Sequence, residues 1–393
     1  MGLKKPVASP AIACPEPPSP GGPEPSVLGQ QPAAGFASRA GQLWTAGARF
    51  RVRLYETGLL RQRSLRAKVI SIGNISWGGT GKTPLTIWLA EQLQVAGLRV
   101  SILTRGYGRT STEKIKVLPP GTTPESAAAD GDEVRLYLRH LKLPIGISSS
   151  RFEAGRQVEE NYPVDIHLLD DGFQHLALAR NLDIVLIDAA NPLGGRPGWP
   201  VLLREGWSAL RRAHLVLLTR CEMATAAERE HPNVQELEQA VRDINPGAAC
   251  FRVSTRLLHF VSLNGECTPR NVLVQKRALA FCRVGNPESF FHMVKDAGIE
   301  LVASKVFPDH HQYSERELDN LRKMAEESRA DCLITTEKDI VNLPPVSASS
   351  LPLFWAAIEM VIRDEDRLLR CIRERLHLFP ESVTVQTKAV PGT

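Results

Sequence analysis

The 393-residue sequence contains no uninterrupted apolar run of about 18 residues, the length a helix needs to cross a bilayer, so any membrane contact is predicted to be peripheral. It contains no CxxC pair either. Its seven cysteines (Cys14, Cys221, Cys250, Cys267, Cys282, Cys332 and Cys371) stand far apart and are odd in number. That pattern excludes a disulfide framework or a zinc ribbon and suits a reducing compartment. A large charge excess is missing too. With 48 Lys and Arg against 43 Asp and Glu, the net charge of +5 is small for a dedicated nucleic-acid binder, and no nucleic-acid partner is expected. No fixed-period repeat occurs. What remains is a globular composition, 43% hydrophobic and 23% charged, over a length too great for one ordinary domain.

Composition changes along the chain. Residues 1–35 are dominated by Pro, Ala, Gly and Ser, carry four charged side chains (Lys4, Lys5, Glu16, Glu24) and show no periodicity, so a disordered extension with a possible targeting role is expected. From Phe36 to Lys68, eight basic residues face one acid, Glu56, among Leu43, Trp44, Phe50, Leu54, Tyr55, Leu59 and Leu60. Leu43, Ala46, Phe50 and Leu54 share a helical face. Such a helix suits an anionic lipid headgroup layer, and it equally suits packing on its own domain with a solvated basic side. Beyond it, short β-rich apolar runs alternate with helical patterns, the signature of a parallel sheet covered by helices. The strands expected are Lys68–Ile72, Val100–Thr104, Ile166–Leu169, Ile184–Ile187, Leu215–Leu218, Ala278–Cys282, Cys332–Thr335 and Leu353–Ala356. The passage between two α/β units is placed near Cys221–Glu230. This gives a basic segment over 36–67, a nucleotide-binding unit over 68–225, a second unit over 226–380 that closes the cleft, and a flexible tail over 381–393.

The strongest local signal is a β-branched strand running through Gly73-Asn74-Ile75-Ser76-Trp77 into Gly78-Gly79-Thr80-Gly81-Lys82-Thr83, followed by a helical pattern (Leu85, Trp88, Leu89, Leu93). In a P-loop, successive backbone N–H groups and a helix N-terminus point at phosphate oxygens. Lys82 would reach the β- and γ-phosphates, and the Thr83 hydroxyl would bind Mg²⁺. Ser76 stands where the usual pattern has its first glycine. A second nucleotide-binding element is expected at another strand end, and Leu168-Leu169-Asp170-Asp171-Gly172-Phe173-Gln174-His175 supplies it. Adjacent carboxylates there repel each other unless a divalent cation offsets the repulsion, although a plain Asp-Gly turn has the same letters. Asp132 opens a helical pattern, where an N-cap is its simplest role. Asp309-His310-His311 precedes a capping-box start at Ser314 and Glu317, which puts both histidines on an exposed loop. Thr335-Thr336-Glu337-Lys338-Asp339 ends a strand with a dense polar group.

Taken in order, these segments resemble one family, the tetraacyldisaccharide 4'-kinases of lipid A biosynthesis. The resemblance spans roughly Arg51 to Leu378. It is carried by Ile72-Gly73-Asn74-Ile75 with Gly78 to Pro84, Thr104-Arg105-Gly106-Tyr107-Gly108, Gly131-Asp132-Glu133, Leu169 to His175, Phe307-Pro308-Asp309-His310-His311 and Thr335 to Asp339. The family also tolerates Ser76. The resemblance implies an α/β fold of two P-loop-type (RecA-like) α/β/α domains with mostly parallel sheets, preceded by an amphipathic helix that docks on a membrane. It implies transfer of the ATP γ-phosphate, with Mg²⁺, to the 4'-hydroxyl of an acylated glucosamine disaccharide 1-phosphate, giving lipid IVA.

The catalytic pair carried over is Asp132 with His310, His311 being the alternative. Gly78, Gly79, Thr80, Gly81, Lys82 and Thr83 would hold the nucleotide, and Thr83, Asp170 and Asp171 the metal. Arg105, Gln174, His175, His311, Glu337 and Lys338 would support the site or the substrate. Three segments depart from the family pattern: Gly195-Arg196-Pro197-Gly198-Trp199-Pro200, Leu203-Arg204-Glu205-Gly206, and Phe281-Cys282-Arg283-Val284-Gly285-Asn286-Pro287, which has Cys-Arg where small residues are usual. The extension, together with the forms Trp77-Gly78-Gly79 and Gly131-Asp132-Glu133-Val134, looks more like organellar members. Mitochondria are therefore the first location expected, and the cytoplasmic face of a bacterial inner membrane the alternative. A partitioning or positioning ATPase shares the Gly78–Thr83 letters, but it needs a lysine directly before the two glycines, and position 77 is Trp.

Overall fold

The computed structural model describes residues 47–194, 203–224, 233–308, 311–344 and 351–378. The expected disordered extension, the tail from 381 and the departing segment Gly195–Pro200 lie outside these residues.

The basic segment supplies a helix over residues 47–56, here α1, followed by an irregular stretch. β1 (Lys68–Asn74) is a β-branched run buried from Val69 onward, and seven residues separate its end from the start of α2 (Lys82–Val95). There follow β2 (Val100–Thr104), β3 (Ile115–Leu118), α3 (Asp132–His140), β4 (Ile145–Ser148), α4 (Arg151–Asn161), β5 (Ile166–Asp170), β6 (Leu182–Asp188), β7 (Leu215–Thr219), α5 (Cys221–Ala224) and α6 (Val234–Ile244). Next come β8 (Ala249–Ser262), β9 (Cys267–Thr268), β10 (Arg277–Cys282), α7 (Pro287–Asp296) and β11 (Glu300–Val306). The chain continues as α8 (Glu315–Glu327), β12 (Cys332–Thr336), α9 (Glu337–Ile340), β13 (Leu353–Ile362) and α10 (Glu365–Leu376).

Among the described residues the strands form one sheet in the order β11-β10-β12-β13-β8-β7-β6-β1-β5-β2-β4-β3, with β9 paired to β8. The run from β4 to β8 is parallel, and so is the run from β11 to β13. The two runs meet where β13 pairs antiparallel with β8. They consequently point at each other, with Thr104, Asp170, Thr219 and Thr336 at strand C-termini around one cleft. In an open α/β sheet, that is the edge where ligands bind.

Helices cover both faces. Leu85, Leu89 and Leu93 of α2 and Val134, Tyr137 and Leu138 of α3 pack on one face of the first run, and Leu237, Val241 and Ile244 of α6 on the other. In the second run, Phe290, Phe291 and Val294 of α7 lie on one side and Leu318 and Leu321 of α8 on the other. The chain does not divide into two consecutive pieces. The first residues of β8 pair with β7 and the remainder with β13, so the strand belongs to both halves. Leu368, Ile372 and Leu376 of α10, assigned from sequence to the second unit, pack in the core of the first. Burying that apolar stripe requires a partner face, and the face of α2 and β6 offers it.

Candidate functional site

The cleft has a volume of about 1650 Å³ and is lined by every P-loop residue from Gly78 to Thr83, by Arg105, Asp170, Asp171, Gln174 and His175, and by Glu337 and Lys338. The P-loop, the strand-end carboxylate pair and the Glu337-Lys338 turn thus converge on one space, whereas Asp132 and His311 are not among its lining residues. Gly81, in the left-handed region at φ +89°, turns the loop into α2, whose N-terminus faces the cleft. Lys82 Nζ lies 3.4 Å from Asn74 Oδ1 and 3.3 Å from Asp171 Oδ1, so it is held at the loop rather than in solvent.

β1 and β5 are adjacent in the sheet with Ile72 opposite Asp170, which places the Asp170-Asp171 pair beside the P-loop. The two carboxylates differ. Burial alone would raise Asp171, but Lys82 and Arg204 outweigh it and hold the group down at about 2, with Arg204 Nη1 donating to Oδ1 at 2.7 Å and to Oδ2 at 2.6 Å. Asp170 is 1% exposed; burial, with charged Asp171 alongside, pushes it above the usual carboxylate range. Its Oδ2 accepts from the Thr104 hydroxyl at 3.2 Å, and its Oδ1 has no hydrogen-bond partner. Glu133, which also lines the cleft, is pushed up to about 8 by burial and by the charge of Asp170. A divalent cation would relieve these two groups, so hard oxygen donors with an orphaned lone pair fit Mg²⁺. Among the described residues, no three His, Cys, Asp or Glu side chains form a metal cage by themselves.

The segment around Leu203, one of the departures from the family pattern, forms a wall of the P-loop. Ser76 bridges to Leu203, Arg204 N–H donates to the Ile75 carbonyl at 2.7 Å, and the Arg204 guanidinium lies 4.7 Å over the Trp77 ring. Arg220 donates to the Gly79 carbonyl at 2.5 Å and pairs with Asp188. Across the cleft, Gly285 meets the loop backbone to backbone; a Cβ there would come within 2.3 Å of Gly79 N. His175 sits among arginines, and burial, then Arg151, Arg180, Arg51 and Arg105, lower it to about 4, so it is neutral near pH 7.

Asp132 is the first residue of α3 with Gly131 at the cap position, so the expected N-cap role falls to the preceding residue. Its carboxylate Oδ2 instead accepts from Arg283 Nη1 at 2.7 Å. Glu337, at the start of α9, accepts from Arg139 Nε at 3.1 Å and lies 2.9 Å from His140 Nε2; this contact raises His140. Ser314 and Glu317 form the expected capping box. Asp309 and His310 lie outside the described residues. His311 is less exposed than its loop position suggested: its ring stacks on Phe307 at 4.9 Å, its Nε2 lies 2.9 Å from Glu317 Oε1, and it does not line the cleft. Arg283, Arg204 and Glu133 were visible only as letters inside quoted segments. Asn74 and Thr104 likewise had only their places at strand ends as a signal.

Fold and site together define a P-loop α/β phosphotransferase: a parallel sheet, a lysine-bearing glycine loop and a strand-end carboxylate pair around one cleft. The family profile described as LpxK, Tetraacyldisaccharide-1-P 4'-kinase, matches residues 36–377, and the chain belongs to that family. It is 36% identical over 326 residues to the tetraacyldisaccharide 4'-kinase of Geobacter metallireducens, covering 82% of this chain and 92% of that one. It is 39% identical over 286 residues to that of Syntrophobacter fumaroxidans, covering 72% and 74%. The crystal structure of LpxK from Aquifex aeolicus in complex with ATP superposes with a TM-score of 0.62 at 25% identity, over 85% of this chain and 96% of that chain.

Proposed function

We infer that this protein is an ATP-dependent kinase that phosphorylates the 4'-hydroxyl of a tetraacyldisaccharide 1-phosphate in lipid A biosynthesis. The observation that carries the reading is Lys82 held at the mouth of the P-loop beside Asp170 and Asp171, in a chain of this family. Gly78 to Thr83 would cradle the triphosphate with backbone N–H groups, and Lys82 would leave Asp171 for the γ-phosphate as its charge develops. Thr83 and Asp170 would hold Mg²⁺, which supplies neutralisation of phosphate charge. Asp171, committed to Arg204 and Lys82, would set the position of the lysine. On the acceptor side, Asp132 and His310 would take the proton of the attacking hydroxyl. Sequestration of His311 against Phe307 supports His310 over its neighbour. Lys82→Ala is expected to lower kcat by at least about 10²-fold, the scale of a lost charge-stabilising donor, with the melting temperature little changed. Near-normal kcat in that variant would remove the loop from the mechanism.

The same reading extends to location. Phe50 (64% exposed), on α1, whose Gly47, Ala48, Arg51 and Val52 line the cleft, and Leu59 (74% exposed), in the turn after it, support peripheral contact with an anionic membrane, which would bring an acylated acceptor to the site. Among the described residues no helix is long and apolar enough to cross a membrane. The extension before the basic segment favours mitochondria, and fractionation of cells expressing the full chain tests that placement.

A further inference from the structure

Arg283, the first residue after β10, is 0% exposed and heads the largest fully buried side chains. Its Nη1 donates to Asp132 Oδ2 at 2.7 Å and to the His311 carbonyl at 3.0 Å, and its Nη2 donates to the Lys338 carbonyl at 2.9 Å. Its backbone N–H donates to Asp339 Oδ1 at 3.1 Å, and Nε lies 3.4 Å from the same oxygen. Asp339 accepts further from the Tyr313 hydroxyl at 2.8 Å and the Thr336 hydroxyl at 2.5 Å. One guanidinium therefore gathers four segments far apart in sequence: the Gly131-Asp132 turn, the end of β10, the turn at His311, and the start of α9. Three of these lie in the second half of the molecule; Asp132 lies in the first. A cation serving only to neutralise Asp339 would have no need to reach across. A guanidinium has a planar fork of donors, so its bonds to two carbonyls fix the direction in which it presents the remaining N–H to a carboxylate.

We propose that Arg283 is a positioning residue for phosphoryl transfer, fixing the Asp132 carboxylate and the turn at His311 relative to each other across the two halves. The proposal rests on the reading of Asp132 as part of the acceptor-side pair. An arginine so placed acts through Asp132 and touches no P-loop residue, so its loss should appear in turnover and not in nucleotide affinity.

The test compares Arg283→Lys, Asp132→Asn and the double variant in the full-length kinase, with kcat, KM for ATP and the melting temperature of each. An ammonium keeps the charge but cannot serve Asp132 and both carbonyls at once. Arg283→Lys should therefore lower kcat about 10- to 100-fold, the scale of a catalytic group displaced by an ångström, with KM for ATP within about twofold of the parent. In the Asp132→Asn background the same change should cost kcat no more than about threefold, as residues acting as a unit behave. Parent-like kcat in a folded Arg283→Lys protein, or an equal loss in both backgrounds, overturns the proposal. Near-normal kcat in Asp132→Asn would instead overturn the underlying reading of Asp132. If Arg283→Lys has no melting transition, Arg283→Gln, which retains a donor for the carboxylate, is compared in its place. If neither folds, the arginine is a structural cross-link and the positioning role is lost.

Discussion

Single residues in the cleft are set by their neighbours more than by their own chemistry. Asp170 and Asp171 are adjacent in sequence and equal in type, yet one is driven up by burial and the other held down at about 2 by Lys82 and Arg204. Glu133 adds a consequence that can be measured without substrate. Its carboxyl titrates near 8 in the folded chain and at about 4.3 in an unfolded one, so between those values the folded state holds a proton the unfolded state has lost. Glu133 by itself therefore lowers stability as pH rises through that window. Asp170, also raised, acts in the same direction; Asp171, depressed, contributes stability above about 3.9 that is lost as pH falls towards 2. Buried His175, depressed to about 4, opposes the Glu133 effect below about 6.5, where only the unfolded state still binds its proton. The ligand-free melting temperature of the parent should thus fall from about pH 6.5 towards pH 8, and Glu133→Gln should flatten that fall. Identical pH profiles would show that Glu133 titrates as an ordinary carboxyl. For the histidines, His310→Ala should lower kcat by about 10²- to 10⁴-fold and add little to Asp132→Asn, whereas His311→Ala should retain most activity and lose some stability. Loss of turnover confined to His311→Ala would move the role by one residue.

At the scale of elements, the basic segment divides between its two readings. Arg63 pairs with Glu153 and stacks 3.7 Å over Phe152, and Arg66 pairs with Glu159, so this portion is fastened to α4 as a packed connection. α1 and the turn after it keep Phe50, Leu59 and Leu60 exposed. Deleting residues 1–60 should release the protein from anionic liposomes, and binding of the full chain should weaken with salt, because each basic residue near such a surface contributes about 1 kcal/mol. Unchanged co-sedimentation of the shortened chain would assign α1 to packing alone. The eight expected strands are all present, because each is an apolar, β-rich run buried in the middle of the sheet. β3, β4, β8, β9 and β11 escaped notice. β4 is only four residues long, β11 is a largely exposed edge strand, and β8 interleaves Arg252, Arg256 and His259 with its apolar residues, so none reads as a buried run.

For the whole molecule, the shared strand and the returning helix couple the two halves. Leu368 is 1% exposed in the core of the first half although it lies beyond β13 in the chain. Leu368→Ala should cost about 2–5 kcal/mol, the range for emptying a buried leucine site, and should lower a single denaturation transition that includes the P-loop half. Two separate transitions, with only the second moved, would show that the halves unfold independently. Closure is local as well as global: Gly285 against Gly79, Glu337 against Arg139 and His140, and Arg283 against Asp132 all join residues from opposite sides of the cleft.

The sequence by itself determined the parallel α/β class, the P-loop and its lysine, the strand-end carboxylate pair and the family. Each of these is local, written in a strand, turn or helix start whose residues are consecutive and whose chemistry follows from their spacing. Only the tertiary structure decided that Asp171 belongs to Arg204 and Lys82 while Asp170 keeps an oxygen without a partner, that the 203–206 segment walls the P-loop, and that Arg283 reaches Asp132. Those pairings join residues up to 151 positions apart. Their energies depend on burial and on which strands lie side by side, and one chain read in order shows neither until the sheet is assembled.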